Sequence, residues 1–150
     1  MKYIQQVNLV KDYISDVIAS AGIKNLNGVA LNIFSHGVPK SFSVNDCPAC
    51  AIVKRMASGE HHETDQPGLW LPSTVMLRLL LVDVSMVDLR SAEASTDDLI
   101  DSILETLSPH ASLSGYGYGI RVSAITWNEE RIEGMYYSEP VIDLEVILSY

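Results

Sequence analysis

Cys47-Pro48-Ala49-Cys50 has the C-x-x-C spacing of a thiol redox site. For that chemistry the motif must open a helix, whose dipole lowers a thiol pKa and supplies the attacking thiolate. The residues that follow argue against one. "ACAIV" is a short apolar run that soon meets Lys54-Arg55 and then Ser58-Gly59, too short for the roughly 10–12-residue helix such a site needs. On a strand, Cys47 and Cys50 fall on opposite faces and cannot join without distortion. Buried, inert cysteines are the expectation, with a thiol-redox protein as the rival of a different class. Cys47, Cys50, His61 and His62 also supply four soft ligands in sequence. Adjacent histidines point apart on any strand, however, and the three-to-five-residue His spacing of a zinc finger is absent. No catalytic, cofactor-binding or metal-ligating residue is expected.

Other chemical signatures are missing from the sequence: no G-x-S-x-G, no phosphate-cradling glycine loop, no H-E-x-x-H. Gly115, Gly117 and Gly119 alternate with Tyr116 and Tyr118 but precede a strand, where a dinucleotide site needs a strand then a helix. They read as a hinge. Trp70, Trp127, Tyr136 and Tyr137 are candidate binding anchors, with core packing as the alternative. Leu69 joins Trp70 in "PGLWLP", beside the acidic residues Glu60, Glu63 and Asp65.

The elements that position these residues follow from pattern. Val7, Val10, Ile14, Val17, Ile18 and Ala21 recur at helical spacing, which predicts a helix over about 5–21 ended by Gly22. After an Asn27-Gly28 turn, "VALNIF" predicts a strand, and short strands are expected on both sides of Asp46. "GEHHETDQPGLWLP" has no period and predicts a long mobile loop, about 56–72. "STVMLRLLLVDVS" is the strongest strand signal, apolar enough on both faces to be central. Ser95 and Asp98 form a capping-box-like start to a second helix, with a stripe of Leu99, Ile100, Ile103, Leu104 and Leu107 that Pro109 stops. "IRVSAITW" and "MYYSEPVIDLEVILSY" predict two antiparallel strands joined at "NEERIEG", the last with Ile142, Leu144, Val146 and Leu148 buried. The expectation is one α+β domain over 1–150, a largely antiparallel sheet with two helices on one face.

Composition agrees. At 150 residues, 47% hydrophobic and 19% charged, the chain can bury roughly 70% of its unfolded surface. The longest apolar run, Val75 to Val84, is interrupted by Arg78 and Asp83 and falls short of the roughly 20 residues of a membrane span. The opening "MKYIQQVNLVKDYI" lacks the apolar core of a secretory signal. Ten basic residues against nineteen acidic ones give −9, with no cationic run longer than Lys54-Arg55, which disfavours a tight grip on a phosphate backbone.

Laid out in this order, the chain resembles the tail terminators of tailed bacteriophages, the family of the lambda minor tail protein U. The resemblance is carried by the N-terminal helix, "HGVPKSFSVNDCPACAIV" with its turn and Asp-x-Pro-Ala strand, the long loop, the strand from Val75, "STDDLIDSILETL", and the ending "ITWNEERIEGMYYSEPVIDLEVILSY". Residues 1–28 and the Gly/Tyr segment 115–119 depart from the pattern. The resemblance implies a structural virion protein with no enzymatic activity, assembled in the host bacterial cytoplasm. Its subunits would close into a homo-oligomeric, hexameric ring on the tail tube protein, end tube polymerisation, and meet the head-tail connector or neck while DNA passes through. Another connector or neck protein of similar fold is the near alternative. For the ring, Leu69, Trp70, Tyr136 and Tyr137 are candidate interface residues, and Glu60, Glu63 and Asp65 candidate lumen-facing or partner-facing acids. Six copies at −9 would carry about −54, a wall to which DNA does not stick.

Overall fold

A computed structural model describes residues 2–36, 39, 41–63, 69–112 and 117–148. The order is α1 (Tyr3–Ser20), β1 (Asn32–Phe34), a 3-10 turn (Val44–Asp46), β2 (Ala49–Glu63), β3 (Trp70–Ser85), α2 (Leu89–Leu107), a second 3-10 turn (Ser108–His110), β4 (Gly117–Thr126), β5 (Glu129–Ile132), β6 (Met135–Ser138) and β7 (Val141–Leu148). It is a single α+β domain: the described residues form seven strands in one mixed sheet, with two helices.

Both helices cover one face. Val7, Val10, Ile14 and Ile18 of α1 and Ile100, Ile103 and Leu107 of α2 pack against Cys50 and Ile52 of β2, Val75, Leu77, Leu79 and Leu81 of β3, and Ile142, Leu144, Val146 and Leu148 of β7. Odd positions of β3 face the helices because side chains alternate along a strand. Leu77, Leu79 and Leu144 are fully buried at the centre, where truncating a leucine to alanine costs about 2–5 kcal/mol. α1 ends as its sequence predicts, with Gly22 at φ +64.

β3 is the central strand, antiparallel to β2 on one side and to β6 and β7 on the other. From Ser85 opposite Tyr136 to Thr74 opposite Ile147, the second pairing keeps one register. Across the break at Glu139-Pro140 the Leu81 N–H still donates to the Pro140 carbonyl at 2.9 Å. The expected closing strand over "MYYSEPVIDLEVIL" is thus one line of chain in two pieces. β4 and β5 follow it in the same way, turning at Glu133-Gly134, where both residues have positive φ, 51 and 78. That two-residue loop is the geometry twisted hairpins favour.

Four expectations need correction. The loop predicted over 56–72 is sheet wherever it is described: β2 runs on to Glu63 and β3 begins at Trp70, with His61 opposite Pro72 and Glu63 opposite Trp70. Residues 64–68 lie outside the described residues. The missing period arises because β2 bulges twice, between Lys54 and Met56 and between Ser58 and His61, and each bulge shifts the alternation by one. Gly59 sits in the second bulge at φ +89, where a Cβ would come within 3.0 Å of Thr74 Oγ1.

α2 starts at Leu89, not near Ser95, because the Asp88 carboxylate caps it by accepting from the Ser91 N–H at 2.7 Å. Among the described residues no strand stands between β1 and Asp46; a 3-10 turn leads into Asp46 instead, closed by Asp46 accepting from the Ser43 N–H at 2.9 Å. Gly117 and Gly119, read as part of a hinge, belong to β4; Gly115 and Tyr116 lie outside the described residues.

Candidate functional site

Cys47 is not on a strand as expected. It follows the 3-10 turn, half-buried against the cluster of Ala49, Val82 and Tyr137, while Cys50 is fully buried in the main core. The two thiols thus belong to different core clusters, and both are free. Burial pushes each up to about 12, with Asp83, Asp46 and Glu139 adding to the effect at Cys47. At neutral pH neither supplies the thiolate that thiol-disulfide exchange requires. The Cys/His quartet is also spread out. Cys50 stands opposite Leu81 and His61 opposite Pro72, nine residues along β3 and so about 30 Å apart. Among the described residues no group of three or more His, Cys, Asp or Glu is placed to hold a metal ion.

The far end of the β2–β3 hairpin is a different environment. Leu69 is 49% exposed and Trp70 60% exposed, so among the described residues the indole finds no pocket. Trp70 lies in register opposite Glu63, and Glu60 falls within the second bulge. The fold therefore gathers Leu69, Trp70, Glu60 and Glu63 at one end of the sheet. Asp65 lies outside the described residues.

Tyr136 and Tyr137, paired in the sequence reading as interface residues, part company. Tyr136 is half-buried, with the Arg131 guanidinium 5.1 Å from its ring centroid. Tyr137 is only 8% exposed, a member of the second core cluster, and is removed from the candidate surface residues. Alternation explains it, since Tyr137 stands opposite Val84, on the face opened to that cluster. Trp127 is exposed, and its indole N–H donates to Asp97 Oδ1 at 3.0 Å.

Two polar groupings were not anticipated. Asp83 is buried on the helix face, where its Oδ2 accepts from Ser95 Oγ at 2.5 Å and from Asn25 Nδ2 at 3.0 Å, and its Oδ1 from the Val84 N–H at 2.9 Å. Asn25 Oδ1 in turn accepts from the N–H groups of Asn27 and Val29, and Thr96 Oγ1 lies 2.7 Å from Ser138 Oγ. This network ties β3, α2, β6 and the Asn27-Gly28 turn together. Its one sequence signal was an aspartate at a core-facing position of the strongest apolar run.

The second grouping is Glu130 and Glu139, on β5 and just after β6, beside a cavity of about 400 Å³ lined also by Phe42, Leu80, Val82 and Ile132. Burial raises the Glu139 carboxyl above its ordinary range, helped by a hydrogen bond with Glu130 and by that residue's charge. Its sequence signal was weak, because only the hairpin register brings the two acids together.

Among the described residues no helix covers the sheet face away from α1 and α2. Arg78 bonds Asp143 there at 2.8 Å, and Arg121 pairs with Glu145, each across adjacent strands. Neither a protein-family model nor a curated protein matches the chain. Among the described residues no helix is long and apolar enough to cross a membrane.

Proposed function

We propose that this chain is a structural protein of the tailed-phage virion. Its copies close into a hexameric ring on the end of the tail tube, stop the tube's growth and present a joining surface to the connector or neck. The reading rests on the sequence resemblance set out above. The observation that carries it furthest is the exposure of Leu69 and Trp70 at the end of the β2–β3 hairpin. A large exposed aromatic beside an apolar neighbour is the kind of anchor that interfaces concentrate their binding energy on.

A subunit of a closed ring needs two different patches, one for each neighbour. The hairpin end supplies one and the opposite sheet edge, β4, the other. Glu60, Glu63 and Asp65 line the DNA path or meet a partner, and the acidic balance of the chain keeps passing DNA from adhering. The high thiol pKa values weigh against the thiol-redox alternative.

The test is genetic and visual. In a phage that encodes this chain, its removal should leave overlong tail tubes unattached to filled heads in electron micrographs of infected cells, and supplying the chain from a plasmid should restore joined tails. Tails of normal length, joined to heads in its absence, would overturn the reading.

A further inference from the structure

Two strands of the sheet have bare outer edges. Beyond Ala51, β2 pairs with β3 alone among the described residues; β4 pairs with β7 alone among them, and its outer edge is open only past Ile120, whose N–H donates to the Ala111 carbonyl at 3.1 Å. Lys54 to Ala57 and Arg121 to Ala124 are exposed throughout. Each edge carries a large apolar side chain in solvent, Met56 at 56% and Val122 at 40%. Such edges offer rows of unpaired N–H and C=O groups to another strand.

The two edges match in height, direction and irregularity. Ile52 stands opposite Leu79 and Ala57 opposite Val75. Through β7, Ile125 reaches the level of the same Leu79 and Ile120 that of the same Val75. β2 runs against β3, whereas β4 runs with it, so β2 and β4 are antiparallel to one another. Within these facing stretches each strand also carries one spare residue, Arg55 between Lys54 and Met56 and Ser123 between Val122 and Ala124. A lone bulge breaks a ladder. Here the two fall at almost the same height, so they cancel. With β4 of one copy beside β2 of the next, past Ile120, whose N–H is held by the Ala111 carbonyl, Arg121 meets Met56, Val122 meets Arg55, Ser123 meets Lys54, Ala124 meets Val53 and Ile125 meets Ile52. The pairing has no slip.

We propose that the partner at these edges is a second copy of this chain, joined by antiparallel pairing of its β4 to the first copy's β2 in that register, so that the sheet continues from subunit to subunit. The contact is head-to-tail, leaving a joined pair one free β2 edge and one free β4 edge, and such contacts generate a ring when the rotation closes. It rests on the ring reading above and adds the β2 edge to the hairpin end as the surface that a neighbour's β4 meets.

Cross-strand partners bring Cβ atoms to about 4.5–5.5 Å, close to disulfide geometry. In a Cys47→Ser background, Arg121→Cys with Met56→Cys should give, on mild copper-phenanthroline oxidation, a non-reducing gel ladder extending past the dimer. Either cysteine alone should stop at dimer. No ladder from a chain that light scattering finds assembled would overturn the edge pairing and leave the ring reading standing; a wild-type chain that is monomeric at its highest soluble concentration would sink both. Should the double variant lose its thermal transition, Val122→Lys decides. A fall to the mass of one chain supports the pairing, and an unchanged multimer refutes it.

Discussion

Replacing Trp70 with alanine separates the two roles a tryptophan can have. A core tryptophan supports its own domain, and truncating it costs about 3–5 kcal/mol of folding stability. Trp70 is 60% exposed and sits at the end of the sheet, opposite Glu63, so its loss should leave the thermal transition of the isolated chain nearly in place, within the roughly 0.5 kcal/mol of an ordinary surface change. Association should respond differently. An indole offers up to about 250 Å² to burial, and the exposed 60% leaves about 150 Å² for a neighbour to cover. At about 25 cal/mol per Å² this is about 3.7 kcal/mol, or about 500-fold in each subunit contact. A ring repeats that loss at every interface.

The measurements are light-scattering mass and thermal melt of purified Trp70→Ala, with tube length in cells infected by phage carrying it. The expected result is an unchanged melt, a lower mass and overlong tubes without heads. An unchanged multimer with tubes of normal length would refute Trp70 as an anchor. A melting temperature lowered by many degrees would show that the side chain supports its own fold.

The thiols should be dispensable. Cys47→Ser/Cys50→Ser should still cap tubes, losing about 1–3 kcal/mol for the hydroxyl placed at fully buried Cys50, and wild-type thiols should react with a disulfide reagent only in strong alkali; rapid labelling of the folded chain at neutral pH would contradict burial as the cause of their raised pKa. Ser95→Ala takes a donor from the buried Asp83 carboxylate and should cost about 1–3 kcal/mol in urea unfolding; a loss within error of zero would show that the hydroxyl does not hold that charge. Glu139 has a folded pKa above its ordinary 4.5, so the native state binds this proton more tightly than the unfolded chain does. Its charge therefore lowers stability above the folded pKa, and the penalty fades as pH falls through that value and vanishes below the ordinary one. Glu139→Gln should raise the melting temperature at neutral pH, with a gain that shrinks toward about pH 4; an equal gain at both would point to packing instead of charge.

The larger architecture was legible because it is written in periodicity. The stripe Val7, Val10, Ile14 and Ile18 and the alternation Ile142, Leu144, Val146 and Leu148 are core faces in the sequence and in the structure. What could not be read depends on register. The bulges of β2 shift the alternation, so a strand running to Glu63 looks aperiodic. Leu89 to Ala94 carry no apolar stripe, and the cap at Asp88 went unrecognised beside a plausible box at Ser95 and Asp98. Of the candidate surface, the exposure of Leu69 and Trp70 agreed with their place beside prolines and acids. Tyr136 and Tyr137 could not be separated without knowing which face of β6 is covered.

Bulges have a second consequence beyond hiding a strand. A sheet that ends in long bare edges invites any other chain, and twisting or bulging the edge is one way to discourage it. Arg55 and Ser123 supply that protection, since each makes its edge a poor template for a regular strand. The protection fails for one partner only, a strand with its own spare residue at the matching height. β2 and β4 of this chain meet that condition for each other. On the proposed pairing, the same irregularities that discourage aggregation would select self-association in a single register. Deleting Ser123 should expose the difference: β4 without its bulge would lose its match to β2, and the assembled mass should fall even where the domain still melts cooperatively. If the deletion variant assembles as the parent does, paired bulges are not what selects the contact.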